Sequence, residues 1–350
     1  MPGHDMIVIG ASTGGVEALM QIARDLPADL PAAVMVCLHM PPQAPSRLPQ
    51  ILSRAGALPA THPTDKEPIR PGHIYVARPD FHLLVEKDRV RVVRGPRENR
   101  SRPAIDPLFR TAAVSYGPRV VGVILTGALD DGTAGLWAIK QRGGIAVVQN
   151  PEDALISSMP ANAIEYVDVD YCLPLSELPA VLARLAREPV ETEGAYPVPE
   201  DMNLESKLAA SDPAAMDGDE RPGVLSAFTC PECKGPLWEL HDGKLVRFRC
   251  RQGHAYTADS ILGGQAEAVE DALWTALNIL QENLQMLYKL AGDAQRRQFP
   301  TLASRFEHQA QDRAKQMEAL RQVLLNGKQG LAAEPPLTSE AETLEKETPA

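Results

Sequence analysis

The 350-residue chain predicts an α/β fold, a doubly wound and mostly parallel sheet over its first half, followed by a small cysteine-rich ribbon and an α-helical hairpin. Three observations carry this. Residues 5–187 alternate continuously apolar runs with amphipathic stretches, as strands covered on both faces by crossover helices do. Three cysteines and a histidine then crowd between positions 230 and 254. Beyond residue 258, apolar residues recur at three- and four-residue steps, the period of an amphipathic helix.

The elements follow in order. Met6–Ile9 reads as a buried strand, Val16–Leu26 as a helix and Ala33–Leu38 as a second buried strand. Ile74–Ala77 is another strand, and Leu83–Glu86 with Val90–Val93, joined through Lys87-Asp88, reads as an antiparallel hairpin added to the sheet. Pro107–Ser115, Val120–Leu125, Thr133–Arg142 and Ile145–Val148 continue as helix, strand, helix, strand, a Rossmann-like winding. Residues 188–223 are rich in Pro, Glu, Asp, Ala and Ser with no sustained apolar period, so a disordered linker is expected there. Two helices are expected at 258–294 and 301–326, parted by Pro300; their apolar faces suit a hairpin or a dimerising coiled coil. The expected organisation is thus a main domain over 1–187, a linker over 188–223, a ribbon over 224–257, the hairpin over 258–326 and a disordered acidic tail over 327–350.

Charge and composition narrow the function. Residues 1–187 carry 19 basic and 19 acidic groups, so the net charge of −11 comes from the linker and tail. No stretch is basic enough for nucleic acid. None is a membrane span of ~18 apolar residues, and the N-terminus lacks a leader pattern. Five cysteines without a disulfide framework fit the reducing cytoplasm. Cys37 and Cys172 sit in apolar runs and read as inert core thiols.

The first strand runs into Gly10-Ala11-Ser12-Thr13-Gly14-Gly15. A glycine-rich turn between strand and helix either cradles a phosphate or exposes a nucleophilic serine beside free amide N–H groups. A dinucleotide site needs an acid at the end of the second strand, but that strand ends in Cys37-Leu38-His39. The strand Val120–Leu125 runs into Thr126 to Gly132, with Asp130 and Asp131 at its carboxyl edge. A parallel sheet gathers such edges into one crevice. Serine, histidine and carboxylate therefore compose a Ser-His-Asp set, in which the histidine takes the serine proton and the carboxylate fixes its tautomer. The competing reading is a non-catalytic signalling adaptor on a nucleotide-binding-like scaffold.

These segments, with Ile74 to Asp80 and Ser101 to Asp106, resemble the motifs of chemotaxis-type protein-glutamate methylesterases, the CheB family, over residues 5–185. The resemblance implies a catalytic triad of Ser12, His39 and Asp131, with Asp131 rather than Asp130 as the acid. It implies hydrolysis of glutamate γ-methyl esters on chemoreceptor helices, with glutamine deamidation as a further activity and no cofactor for catalysis. Thr13, Gly14 and Ala128 would bind the oxyanion or position the substrate. Where the family usually has Met-Gly, this chain has Ala128-Leu129, which restricts the turn. Familiar members carry an N-terminal receiver domain, whereas this sequence starts at the catalytic strand. Regulation is therefore expected in trans or from the C-terminal half. The arginine-rich loop 94–102 reads as a solvated charge run or as a seat for an acidic receptor helix.

Cys230, Cys233, Cys250 and His254 have the C-x2-C and C-x3-H spacing of a tetrahedral zinc site. Four protein ligands leave no open position, so the expected Zn²⁺ is structural. The ribbon and hairpin are the expected contact for a regulatory partner or a second copy of the chain.

Overall fold

The computed structural model describes residues 3–191 and 196–330. The first half runs β1 (Met6–Ala11), α1 (Gly15–Asp25), β2 (Ala33–Leu38), α2 (Leu48–Ala55), β3 (Ala60–Thr61), β4 (Ile74–Val76), β5 (His82–Glu86), β6 (Arg89–Val93), α3 (Ile105–Tyr116), β7 (Val120–Ile124), α4 (Thr133–Gln141), β8 (Ile145–Gln149), α5 (Ser158–Tyr166), β9 (Tyr171–Leu173) and α6 (Leu178–Leu185). Seven strands pair in the order β3-β4-β2-β1-β7-β8-β9, every pair parallel.

Strands β1, β2 and β7 are buried at every position, which is why their sequences are continuously apolar rather than alternating. Alternate side chains feed two cores. Ile7, Ile9, Val34, Val36, Val121 and Val123 meet α1, α2 and α6 on one face. Met6, Val8, Met35, Val120 and Ile124 meet α3, α4 and α5 on the other. With β1 between β2 and β7, the carboxyl ends of these three strands share one crevice.

The hairpin departs from expectation. β5 and β6 form their own two-stranded sheet rather than extending the main one. The free edge of β5 is taken by α3 instead: Val85 N–H donates to Thr111 Oγ1 at 3.0 Å and Ser115 Oγ donates to Val85 O at 2.9 Å. Side chains thus supply the pairing that a neighbouring strand would have given.

The segment 188–223 departs more sharply from the disordered linker that its composition suggests. It carries α7 (Glu200–Ala209) and α8 (Pro213–Asp217), with Met202, Leu208 and Ala209 buried. The ribbon follows as β10 (Val224–Thr229), β11 (Pro236–Asp242), β12 (Leu245–Cys250) and β13 (Ala255–Thr257), an antiparallel sheet in that order. A buried ionic cluster ties these pieces to the main domain. Arg110 on α3 grips Glu98 at 2.6 and 2.9 Å, Arg247 grips Glu205 on α7 twice at 2.9 Å, and Arg249 reaches both Glu98 and Glu205 at 3.0 and 2.8 Å. Arg247 also pairs with Asp242. Three arginines face three carboxylates, so the cluster is neutral, which is the condition for burying charge.

The chain divides into two compact units, one reaching Gly264 and one starting at Gln265. The helical pair is α9 (Ala258–Arg296) and α10 (Pro300–Gly330), with Pro300 at a first helical position, where its missing N–H costs nothing. The start of α9 belongs to the first unit and its remainder to the second. Of the expected apolar face of α9, Leu277 is buried while Leu262 and Val269 are exposed. The acidic tail beyond residue 330 lies outside the described residues. Cys37 is buried as expected, but Cys172 is exposed on the edge strand β9. Among the described residues, no helix is long and apolar enough to cross a membrane.

Candidate active site

Ser12 follows β1 and His39 follows β2, and the sheet pairing continues into both: Ser12 N–H donates to Thr126 O at 3.0 Å and His39 N–H to Ala11 O at 3.1 Å. The two residues are therefore held by backbone independently of their side-chain contacts. Gly14, at φ 79°, turns the chain into α1. A Cβ on Gly127 would stand 2.8 Å from Ser12 Cβ, so glycine there gives the serine room.

His39 Nδ1 lies 3.2 Å from Ser12 Oγ, and its Nε2 lies 2.6 Å from Asp131 Oδ2. With Nε2–H donating to the carboxylate, Nδ1 is left as the acceptor for the serine proton. The imidazole thus presents Nδ1 to the serine, the reverse of the common template. Asp130, its sequence neighbour, accepts from Thr257 Oγ1 at 2.8 Å and does not meet the histidine.

Asp131 is fixed by four donors. Its Oδ2 accepts from His39 and from Ile105 N–H at 2.7 Å; its Oδ1 accepts from Asn99 Nδ2 at 2.9 Å and Asp106 N–H at 3.2 Å. Ile105 and Asp106 open α3, whose own cap residue, Ala104, offers no side-chain bond. Asp131 therefore caps α3 from across the crevice, where the helix dipole favours an anion. Asp106 returns the arrangement: its Oδ1 accepts from Gly132 and Gly135 N–H at 3.0 and 2.7 Å and so caps α4.

Burial works to raise the pKa of Asp131, but the His39 hydrogen bond and charge, with the Ile105 and Asn99 donors, hold it below the ordinary value. Asp106 is pushed up, first by burial and then by the charge of Asp131. One of the two is thus kept ionised next to the histidine. Sequence reasoning gave no role to Asn99 or Asp106: Asp106 closes the Ser101–Asp106 segment that carries the resemblance, but an asparagine in a charged loop carries no local signal of the acid that it meets.

Asp130 has a different fate. Burial raises it to about 7, with the Thr257 hydroxyl opposing and Asp259 and Asp131 adding to the rise. The folded protein then binds this proton more tightly than the unfolded chain, so the group costs stability increasingly as pH rises from 3.8 to about 7. At about 1.4 kcal/mol per unit, Asp130→Asn should stabilise the protein by about 3 kcal/mol more at pH 8 than at pH 5. Thermal denaturation at the two pH values measures this; an equal effect at both would contradict a raised Asp130.

The remaining predicted residues fall around the serine. Thr13 and Ala128 are exposed on either side of the crevice mouth and Gly14 is half-buried. Among the described residues, no backbone acceptor takes the N–H of Thr13, Gly14 or Ala128. Leu129 adopts φ 63°, a left-handed conformation that costs a non-glycine residue about 1–2 kcal/mol, and Asn162 Nδ2 holds its carbonyl at 3.0 Å. In the arginine-rich loop, Arg94 and Arg102 pair with Asp80.

Cys230, Cys233, Cys250 and His254 converge at the ribbon end, their ligand atoms all within 4.8 Å of one another. Cys233 Sγ and Cys250 Sγ are 3.6 Å apart, and His254 Nδ1 lies 3.4 and 3.7 Å from Cys250 and Cys230 Sγ. This group can hold a metal ion.

Residues 7–182 match the CheB methylesterase family. A Leptospira interrogans protein, named provisionally as a protein-glutamate methylesterase/protein-glutamine glutaminase, is 40% identical over 189 residues, covering 54% of this chain and 98% of its own. A Hydrogenovibrio crunogenus protein-glutamate methylesterase/protein-glutamine glutaminase is 35% identical over 191 residues, 53% of this chain and 50% of that one. The crystal structure of the Thermotoga maritima CheB methylesterase catalytic domain superposes with a TM-score of 0.50 at 34% identity, covering 52% of this chain and 98% of that domain. With its parallel sheet, its serine turn and its match across residues 7–182, this chain belongs to the CheB methylesterase family.

Proposed function

We propose that the chain is a serine hydrolase that removes methyl esters from glutamate side chains of chemoreceptor-like helices, and deamidates glutamine at the same site. Supporting this most directly is the unbroken relay from Ser12 Oγ through His39 to Asp131, at 3.2 and 2.6 Å. Ser12 Oγ attacks the ester carbonyl while His39 Nδ1 takes its proton. The N–H groups of Thr13, Gly14 and Ala128, with the N-terminus of α1, receive the oxyanion. His39 then gives its proton to the departing methanol. A water deprotonated by Nδ1 attacks the acyl-serine, and the free glutamate leaves as His39 reprotonates Ser12. This chemistry runs on the chain's own side chains.

A fluorophosphonate probe tests the reading. Stoichiometric mass addition on Ser12 is expected, with labelling lost or greatly slowed in His39→Ala. Modification of another residue, or of none, would instead favour an adaptor that binds its partner without turnover.

The ligand geometry of the cysteine module suits zinc. A tetrahedral ion with Zn–S bonds of about 2.3 Å has sulfurs about 3.8 Å apart, close to the 3.6 Å between Cys233 and Cys250. Three thiolates and an imidazole complete its coordination, so its part is structural. Elemental analysis of the full chain should give one zinc per molecule; well under one would remove zinc from this reading. The protein is assigned to the cytoplasm, where methylated receptor helices are presented. Exposed Trp274, Ile279 and Met286 on α9 offer a surface to a regulatory partner or a second copy.

A further inference from the structure

The cysteine module reaches the catalytic acid through one side chain. Asn99 is 7% exposed, and Nδ2 donates to Asp131 Oδ1 at 2.9 Å and to Asp106 Oδ2 at 2.8 Å. Its Oδ1 faces the other way, accepting from Thr257 N–H at 3.1 Å and lying 3.1 Å from Ser260 Oγ. A backbone N–H can only donate, so Thr257 dictates which end of the amide faces the carboxylates. Flipped, the amide would set its oxygen against two carboxylates and its hydrogens against Thr257 N–H.

Asn99 and Arg100 adopt left-handed φ, 48° and 64°, as the central pair of a tight turn closed by Glu98 N–H to Ser101 O at 3.3 Å and Ser101 N–H to Glu98 O at 2.9 Å. β13 fixes that turn against the module: Asn99 N–H donates to Ala255 O at 2.8 Å, and Ala255 N–H to Arg97 O at 3.3 Å. Glu98 next to it is gripped by Arg249 of β12. Thr257 also caps the start of α9, accepting from Ser260 N–H at 3.2 Å, while its hydroxyl donates to Asp130.

Cys250 and His254 bracket the turn between β12 and β13, and Ala255 is the next residue after His254. The apolar core of the ribbon is small, built from Leu237, Phe248, Tyr256 and Ile261 with two of the cysteines. A core of that size relies on its metal for order. Thr257 and Ser260 lie beyond residues 7–182, which match the family.

We infer that the cysteine module is a positioning clamp on Asp131, acting through Asn99, so that its metal loading sets the turnover rate of the esterase. This rests on the reading of Ser12, His39 and Asp131 as the catalytic triad. Thr257, Ser260 and Asn99 are positioning residues: they touch neither the serine nor the substrate and act by aiming the carboxylate at His39.

The test uses the full chain. Thr257→Val/Ser260→Ala removes the Ser260 hydroxyl from Asn99 Oδ1 and the Thr257 hydroxyl that caps α9 and so steadies the Thr257 N–H, without touching a metal ligand. It should lower kcat roughly 10-fold with KM little changed. It should also broaden or shift upfield the downfield proton resonance of the short His39–Asp131 hydrogen bond. The conservative pair Thr257→Ser/Ser260→Thr should restore both. Chelation of the metal should reproduce the loss, and added Zn²⁺ should reverse it. A folded double variant with wild-type kcat and an unmoved resonance overturns the clamp, and a metal-stripped protein with full kcat overturns its link to the metal. Ser12→Ala separates the two readings. If it stays active, the triad itself is wrong; if it is dead while the double variant is normal, only the clamp fails.

Discussion

Asp131→Asn should lower kcat by roughly 10⁴-fold while leaving KM nearly unchanged. The substituted amide has no acceptable orientation. Both oxygens of Asp131 receive donors, His39 and Ile105 N–H on one and Asn99 and Asp106 N–H on the other. An NH₂ on the Asn99 side meets two donors that cannot turn away. On the His39 side it meets Ile105 N–H and forces Nε2 to become the acceptor. The ring proton then sits on Nδ1, facing Ser12, and the base is lost. Methanol release from a methylated receptor, fitted for kcat and KM separately, measures the effect. A variant within tenfold of wild type would show that Asp131 does not set the tautomer of His39.

The second large effect is on stability. Glu205→Gln should destabilise the protein by about 3–5 kcal/mol, because it leaves buried arginines without their counter-charge. Glu205 is 2% exposed and is contacted by Arg247 and Arg249, with Arg110 at 3.4 Å. Burial alone would raise its pKa, yet the three arginines hold it well below 4.5. Its pKa is thus depressed on folding, so its contribution is complete above 4.5 and is lost as pH falls below that value. Thermal denaturation should show a melting temperature lower by on the order of 10 °C at neutral pH, and the gap should narrow on acidification. No change at neutral pH would mean that α7 is not anchored through this residue.

How much of this was legible beforehand differs by element. Met6–Ile9, the apolar part of β1, and Ala33–Leu38 announced themselves because strands buried on both faces are apolar throughout. Ser12 and His39 were legible as candidates because each stands just beyond a strand end; Asp131 lies in the loop from β7 to α4, and its choice over Asp130 came from the family resemblance. The four positions that can hold a metal ion were legible from spacing. The segment 188–223 misled because composition reports average polarity, whereas the order of α7 depends on a few anchors and on arginines that arrive from residues 110, 247 and 249. The β5–β6 hairpin misled for a related reason: a strand's pattern shows that it wants a paired edge, not whether a sheet or a helix supplies the partner. Cys172 sits in an apolar run, but on an edge strand such a run is not fully covered.

The sequence by itself determined the parallel sheet, the turn that carries Ser12 and the Cys/His group of the module, because these rest on local pattern and on residues close together in the chain. Tertiary structure decided what holds the acid. Asp131 is aimed by Asn99 from 32 residues away, and Asn99 is aimed in turn by Thr257 N–H from 158 residues away. Hydrogen bonds across such separations depend on the packing of whole elements, and no local pattern in the chain records them.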